Sequence, residues 1–92
     1  MAYFSWDHKK EIINRLKHGV DFETASRAFT DPRRRIRRDT KHSFGEERYF
    51  CFGNVDGQVL TVRFIYRAEE IRIIGAGYWR KGWRVYHEEE KT

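Results

Sequence analysis

The segment Ile71–Tyr86 combines side chains that could bind a phosphate-rich ligand. An apolar run leads into two glycines, and aromatic residues then alternate with cations, with no acid among the sixteen residues. Aromatic faces stack on bases and cations neutralise phosphates, so this composition is typical of a nucleic-acid-binding surface. The residues that would make these contacts are Tyr78, Trp79, Arg80, Lys81 and Arg84.

A terminal helix would explain the aromatic spacing without any ligand. Trp79, Trp83 and Tyr86 lie at i, i+4 and i+7, so a helix that begins at Trp79 would turn all three toward one side. Packing against a sheet is the favoured role of the two tryptophans. The three cations among them have no such role and are the strongest candidates for phosphate contacts.

Two arginines, Arg63 and Arg72, lie inside apolar strand patterns. A guanidinium in such a place needs a carboxylate or a ligand phosphate. Glu46, Glu47 or Glu70 on a neighbouring strand would satisfy them, and an RNA phosphate would do so equally well. Both interpretations stay open, because one arginine can bind a carboxylate and a phosphate in turn.

Residues 33–38 include five arginines, the densest positive charge in the chain. This block is either a solvated edge strand or a phosphate-binding surface, to which Arg35 and Arg37 would contribute. Two side chains are candidates for proton transfer: His42 in a polar loop, and Tyr86. His18 is expected to close the first helix rather than to act in catalysis.

Composition restricts the function further. Ninety-two residues allow one domain, residues 1–92, and the net charge of +5 favours an anionic partner. No apolar run approaches the ~20 residues of a membrane span, and the N-terminus lacks a signal-peptide layout, so a cytoplasmic protein without a membrane partner is predicted. The lone Cys51, the unpaired histidines and the lack of a glycine-rich phosphate loop predict no metal and no cofactor.

Local signals predict an α+β chain that begins with two short helices. Asp7 is placed to cap the first helix and Gly19 to end it, while Asp21 opens a second helix that stops before Pro32. The remainder predicts an antiparallel sheet, with a hairpin around Asp56-Gly57. Its expected strands are residues 33–39, Glu47–Val55, Gln58–Tyr66 and Ile71–Ile74, and Phe4 and Trp6 belong to a short strand or pack onto the core.

Five motifs, in this order and at these distances, resemble the BrnT family, the toxins of a bacterial type II toxin–antitoxin system. They are F-x-W-D from Phe4 to Asp7, N-x-x-K-H-G-V-x-F from Asn14 to Phe22, F-x-D-P from Phe29 to Pro32, H-S-x-G-E-E-R from His42 to Arg48, and R-I-I-x-A from Arg72 to Ala76.

The resemblance implies a RelE-like fold, a twisted antiparallel sheet with two N-terminal helices and a short C-terminal helix. It also implies a metal-independent endoribonuclease that arrests growth by cutting RNA. A BrnA-like antitoxin would neutralise the enzyme and carry the DNA-binding domain, so operator DNA would be reached only indirectly, through the antitoxin.

The C-terminal segment departs from the family pattern at two positions. Many relatives continue R-I-I-S-A with an arginine and then a terminal helix that contains a glutamate, whereas this chain has Gly77 and Trp83 there. The alternative function is therefore a catalytically weak or inactive relative that binds nucleic acid or the antitoxin.

For the nuclease, RNA cleavage without metal needs charge stabilisation at the phosphate and two proton transfers. The predicted phosphate clamps are Arg63, Arg72 and Arg80, with Lys81, Arg84, Arg35 and Arg37 as further RNA contacts, Tyr78 and Trp79 as stacking platforms, and Tyr86 and His42 as proton carriers.

Overall fold

The computed structural model describes residues 3–88, which form a five-stranded sheet and three α-helices. The strand order across the sheet is β1-β5-β4-β3-β2. In chain order the elements are β1 (Tyr3–Trp6), α1 (His8–His18), α2 (Phe22–Ser26), β2 (Arg35–Asp39), β3 (Arg48–Val55), β4 (Gln58–Arg67), β5 (Glu70–Gly77) and α3 (Arg80–His87), with a 3₁₀ turn at Arg27–Thr30 between α2 and β2.

The predicted helix caps are confirmed. The Asp7 carboxylate accepts a hydrogen bond from the Lys10 backbone N–H at 3.1 Å, and the Asp21 carboxylate accepts one from the Thr24 N–H at 2.6 Å. Gly19 ends α1 with a left-handed φ of 70°. These short-range signals set where the helices begin and end, since each depends on residues within one turn.

The sheet is mixed, so the prediction of a purely antiparallel sheet is wrong at one edge. β1 runs parallel to β5, with Phe4 opposite Ile71, while the other three strand pairs are antiparallel. The direction follows from connectivity, because α1, α2 and three further strands separate β1 from β5 along the chain and leave its direction unconstrained by a tight turn.

Asn14 on α1 closes the part of the β5 edge that β1 does not reach. Its amide accepts from the Ala76 N–H at 3.1 Å and donates to the Ala76 carbonyl at 2.9 Å, as a neighbouring strand would. The same amide nitrogen donates to the Val20 carbonyl at 2.9 Å. Buried backbone groups need such partners, so Asn14 fixes the position of α1 against β5.

The hydrophobic core lies between one face of the sheet and α2 with its following 3₁₀ turn. Phe22, Ala25 and Ala28 pack there against Phe64 and Ile73, and all five are fully buried. Aromatic rings extend this core toward β1, where Phe4 contacts Phe29. Burial of this apolar area is the main source of stability. Among the helices of residues 3–88, none has the length and apolar character to cross a membrane.

The opposite face of the sheet is only partly covered. α3 lies across one end of it, over β3 and β4, and the buried Gly82 lies directly against the sheet. A Cβ atom at Gly82 would collide with the hydroxyl of Thr61, so glycine is required for this close approach. The predicted terminal helix is therefore confirmed, and it leaves the rest of this face accessible.

Candidate nucleic-acid interface

Basic side chains from three strands lie on the face of the sheet that the core helices do not cover. Arg37 on β2 stands opposite Phe50 on β3, and Phe50 in turn stands opposite Arg63 on β4. Across the next pair of strands, Arg63 stands opposite Gly75 on β5. Residues directly opposite in an antiparallel ladder point to the same side, so this row crosses one face. We call the surface formed by Arg37, Phe50, Arg63 and Arg72 the open face.

Arg72 joins this face from β5. It stands opposite Ile65, which lies two residues after Arg63 and therefore points the same way. Its neighbours Ile71 and Ile73 pack toward the core, which confirms that the Arg72 side chain is on the other side. Arg63 and Arg72 thus lie on adjacent strands of one face.

Neither Arg63 nor Arg72 has a carboxylate within 4 Å among residues 3–88. Glu46 instead binds Arg67 at 3.2 Å, and Glu47 binds Arg38 at 3.0 Å. Both arginines are half-buried.

Arg72 has one weak protein contact, a 3.4 Å hydrogen bond to the Ser5 hydroxyl. It also helps to lower the pKa of Asp7, although the Lys10 backbone N–H is the larger cause. The structure therefore shows no pairing of Arg63 or Arg72 with Glu46, Glu47 or Glu70 within residues 3–88, and the charge of both arginines is available to a ligand.

A recess of about 300 Å³ lies beside Arg63, between α1 and β5. Three further basic side chains of α1 line it: Lys10, Lys17 and His18. Trp79 forms one wall and contacts the His18 ring edge-to-face, with the ring centroids 5.1 Å apart. The recess is therefore a concentration of positive charge beside an aromatic ring, the combination that binds a nucleotide.

Trp79 takes its place in the recess because Gly77 has no side chain. A Cβ atom at Gly77 would lie 2.5 Å from Cζ2 of the Trp79 ring, well inside van der Waals contact. Glycine at position 77 thus has a physical reason, since the ring fills the space that a side chain there would need.

Arg80, Lys81 and Arg84 are exposed on α3, as expected for cations without a packing role. Arg80 lies on the side of Trp79 that is away from the recess, in a groove beside the β3–β4 hairpin. Lys81 borders Phe50 and Phe52 of β3, next to the open face. α3 therefore distributes its cations around the site instead of placing them together with Arg63. Tyr78, like Arg80, lines the groove, and it is exposed.

The Tyr86 hydroxyl donates a 2.5 Å hydrogen bond to the Asp31 carboxylate. Burial and this acceptor both raise the pKa of Tyr86, which disfavours the phenolate that a general base requires. The contact instead ties α3 to the end of the 3₁₀ turn.

His42 lies at the β2 side of the molecule and is held by Asp39. Its Nδ1 atom is 2.9 Å from Oδ2 of Asp39. Burial acts to raise the pKa of Asp39, but hydrogen bonds from His42 and the Lys41 N–H outweigh it and lower the pKa. The bond orients the ring and leaves Nε2 directed away from Asp39.

The two arginines of the β2 block that were predicted to bind RNA have different surroundings. Arg35 donates to the Glu88 backbone carbonyl and so contacts the end of α3. Arg37 is exposed on the open face, two strands or about 10 Å from Arg63. The structure thus groups Arg37, Arg63 and Arg72, with Lys81 at the margin, and separates Arg80, Tyr86 and His42 from them.

The sequence pattern did not lead us to predict Lys10 and Lys17 as site residues, and it predicted only a helix-closing role for His18. The signal was the spacing of Lys10, Asn14 and Lys17, which places them on one side of α1, and Asn14 faces β5. Within residues 3–88, no three His, Cys, Asp or Glu side chains are grouped so that they could hold a metal ion.

Residues 6–82 match the family described as the ribonuclease toxin, BrnT, of type II toxin–antitoxin systems. A comparison with curated protein sequences found no match. The matched range contains α1, all of the open face and the recess, and it ends at Gly82 in α3. The chain therefore belongs to the BrnT family of ribonuclease toxins of type II toxin–antitoxin systems.

Proposed function

We propose that this toxin is a metal-independent endoribonuclease that holds the phosphate to be cut between Arg63 and Arg72. The observation that carries the proposal is that Arg63 and Arg72 are half-buried residues on adjacent strands and have no carboxylate partner within residues 3–88. A partly buried cation is stabilised by an anionic partner, and an RNA phosphate supplies one. A RelE-like arrangement of sheet and helices is part of this proposal.

The chemistry uses the ribose 2′-hydroxyl as an internal nucleophile. Its oxygen forms a bond to phosphorus while the bond from phosphorus to the 5′-oxygen breaks, which leaves a 2′,3′-cyclic phosphate and a 5′-hydroxyl. One protein group takes the proton of the 2′-hydroxyl, and another gives a proton to the departing 5′-oxygen. Arg63 and Arg72 stabilise the charge that develops on the phosphate oxygens, and Lys17 adds to the positive field.

His18 is the best-placed proton carrier, because its exposed ring lines the same recess as Arg63. His42 is a second candidate from the far side of the open face, where Asp39 orients it. Arg80 and Arg37 contact the phosphates that flank the cut.

We further propose that the antitoxin of this system is BrnA-like, acts in the cytoplasm and covers the open face. An acidic segment would neutralise Arg37, Arg63 and Arg72 together and would exclude RNA by occupying the same charges. Operator DNA would then be bound by the antitoxin and not by this chain.

Cleavage of a structured RNA by purified protein in excess EDTA tests the nuclease. Arg63→Ala and Arg72→Ala should each lower the cleavage rate about 10²–10³-fold, the usual effect of removing a charge-stabilising donor. Arg38→Ala is the matched control, since Arg38 is bound to Glu47 on the opposite side of β2. Wild-type rates in both site variants, or loss of all cleavage in EDTA, would contradict the proposal.

The alternative, a binding module without nuclease activity, is favoured by one observation. The Trp79 ring occupies the space beside Gly77, so the arginine that many relatives place there has no room in this chain. This alternative predicts salt-sensitive RNA binding without cleavage products. Induction of the protein in a bacterium would separate the two, because only the nuclease would arrest growth.

A further inference from the structure

We propose that a groove between the β3–β4 hairpin and α3 binds a base of single-stranded RNA next to the cleaved phosphate. This inference rests on the proposed function, since it identifies what selects the RNA at that site. The groove has a volume of about 760 Å³, which suits a nucleotide. We call it the hairpin groove; its main lining residues are Asn54, Gln58, Tyr78, Trp79, Arg80 and Trp83.

Three aromatic side chains line the hairpin groove and remain accessible. Tyr78 is 45% exposed, Trp79 36% and Trp83 54%. Trp83 was expected to pack on the sheet, but Gly82 faces the sheet instead, so the next residue of the helix is turned toward the groove. The ring of His87, one turn further along, lies against Trp83 with the centroids 4.4 Å apart and so limits its movement. Accessible, positioned rings are what a base stacks upon.

The Asn54 side chain belongs to the hairpin and lies on the face of the sheet that carries α3, since Asn54 follows Phe52, which stands opposite Thr61, by two residues. The Asn54 side-chain oxygen accepts from the Gly57 N–H at 3.0 Å, which fixes the orientation of the amide and leaves its NH₂ group to donate elsewhere. The Gln58 side chain is directed to the other face, because Gln58 stands opposite the buried Val55, so Asn54 supplies the side-chain amide that borders the groove. Amide donors and acceptors at the edge of a stacking site can read the edge of a base.

The charge of the hairpin groove favours RNA over an acidic peptide as its occupant. Arg80 lines it, and the acid nearest to it in the hairpin turn, Asp56, is bound through both oxygens by Arg27 at 2.7 and 3.0 Å. An acidic peptide would be attracted by Arg80 but would leave the ring faces and the amide of Asn54 unused. A nucleotide uses all three features.

Trp79 connects the hairpin groove to the recess beside Arg63, because it lines both. An RNA strand with its cleaved phosphate at Arg63 therefore passes Trp79 and places its next base between Tyr78 and Trp83. Arg80 lies at the entrance for the following phosphate.

The test measures binding of a short single-stranded RNA with 2′-O-methyl riboses, which cannot be cleaved by 2′-hydroxyl attack. Trp83→Ala should weaken its affinity about tenfold or more, the usual effect of removing a stacking side chain, while Trp83→Phe should retain most of the affinity. Phe44→Ala is the control, since Phe44 is an exposed aromatic residue of the loop before β3, outside the groove. Circular dichroism of each variant establishes that the fold is intact.

A second variant addresses selection of the base. Asn54→Asp keeps the acceptor for the Gly57 N–H but replaces the NH₂ donor, so it should change which base is preferred beside the cut, as read from the ends of the products. Unchanged cut positions in Asn54→Asp, together with unchanged affinity in Trp83→Ala, would overturn the inference. So would a loss of antitoxin binding in Trp83→Ala with full RNA affinity, because the groove would then hold the protein partner.

The two proposals fail in different ways. If the wild-type protein binds the methylated RNA through Trp83 but cuts no RNA, the nuclease proposal fails and the base-binding groove stands. If the wild-type protein cuts RNA and Trp83→Ala binds and cuts as the wild type does, only the groove is refuted.

Discussion

Gly77 and Trp79 occupy one small volume at the end of β5, and each residue determines what the other can be. The Trp79 ring lies where a Cβ atom of residue 77 would be, 2.5 Å from Cζ2. Even one methyl group there must displace the ring from its contact with His18. The two positions therefore form a unit, in which a change at one requires a change at the other.

Gly77→Ala should lower the free energy of unfolding by about 1–3 kcal/mol, the usual cost of overpacking a filled site. In Gly77→Ala/Trp79→Ala the collision is absent, so the combined loss should be smaller than the sum of the single losses by about 1 kcal/mol. Urea denaturation of the four proteins measures this coupling. Gly75→Ala is the matched control on the same strand, because its Cβ would meet no atom closer than 3.7 Å. If the losses of the two single variants simply added in the double variant, the two residues would not compete for the same space.

The roles of some single residues could be predicted from the sequence, whereas those of others could not. Asp7 and Asp21 as helix caps depend on neighbours within three residues, and both were predicted correctly. The partners of Arg63 and Arg72 depend on strand register over tens of residues. The structure shows that the candidate acids Glu46 and Glu47 bind other arginines, and no local pattern contained that information.

At the scale of elements, two contacts join α3 to other elements of the fold, in addition to the bond from Arg35 to the Glu88 carbonyl at its end. Gly82 lies on Thr61, and the Tyr86 hydroxyl donates to Asp31. Burial acts to raise the pKa of Asp31, but the hydrogen bonds from Tyr86 and from the backbone N–H groups of Asn54 and Arg33 outweigh it and lower the pKa. The ionised Asp31 carboxylate therefore joins α3, β3 and the segment that precedes β2.

Tyr86→Phe should cost about 1–2 kcal/mol of stability near neutral pH, as expected for a hydrogen bond to a charged group, and should leave the rate of RNA cleavage unchanged. Because the pKa of Asp31 is lowered by folding, its stabilisation is complete above its unfolded value of about 4 and is lost as the pH falls through the folded value. The cost of Tyr86→Phe should therefore shrink below about pH 4.

Tyr66→Phe provides the control for Tyr86→Phe, since the Tyr66 ring is 52% exposed and its hydroxyl has no hydrogen bond within residues 3–88. Thermal or urea unfolding between pH 3 and 8 and a cleavage assay at neutral pH would supply the data. A large fall in cleavage with unchanged stability would instead restore Tyr86 as a proton carrier.

Element prediction succeeded where neighbours in sequence are neighbours in space. The hairpin of β3 and β4 follows from Asp56-Gly57, and both helices near the N-terminus follow from their caps. The parallel pairing of β1 with β5 did not follow, since a strand that returns after the whole intervening chain has no local signal for its direction. The recess between α1 and β5 could not be predicted for the same reason, because it forms only when Asn14 joins two elements that are far apart in the chain.

For the whole molecule, the important property is how the net charge of +5 is distributed. Two consecutive residues of β2 place their charges on opposite faces of the sheet. Arg37 points to the open face, whereas Arg38 points to the other side, where Glu47 binds it at 3.0 Å. The two variants Arg37→Ala and Arg38→Ala thus lower the net charge equally but remove cations from opposite faces.

The affinity for RNA should therefore depend on the face at which a cation lies and not on the net charge alone. With the 2′-O-methyl RNA, the logarithm of affinity should fall linearly with the logarithm of salt concentration, by about 0.7 for each phosphate that the protein contacts. Arg37→Ala should make this slope shallower by about 0.7, because one contact is lost, while Arg38→Ala should leave it unchanged. Titrations over about a sixfold range of salt concentration are sufficient to resolve that difference. Equal changes in both variants would mean that the RNA senses only the overall charge, and the open face would not be its binding surface.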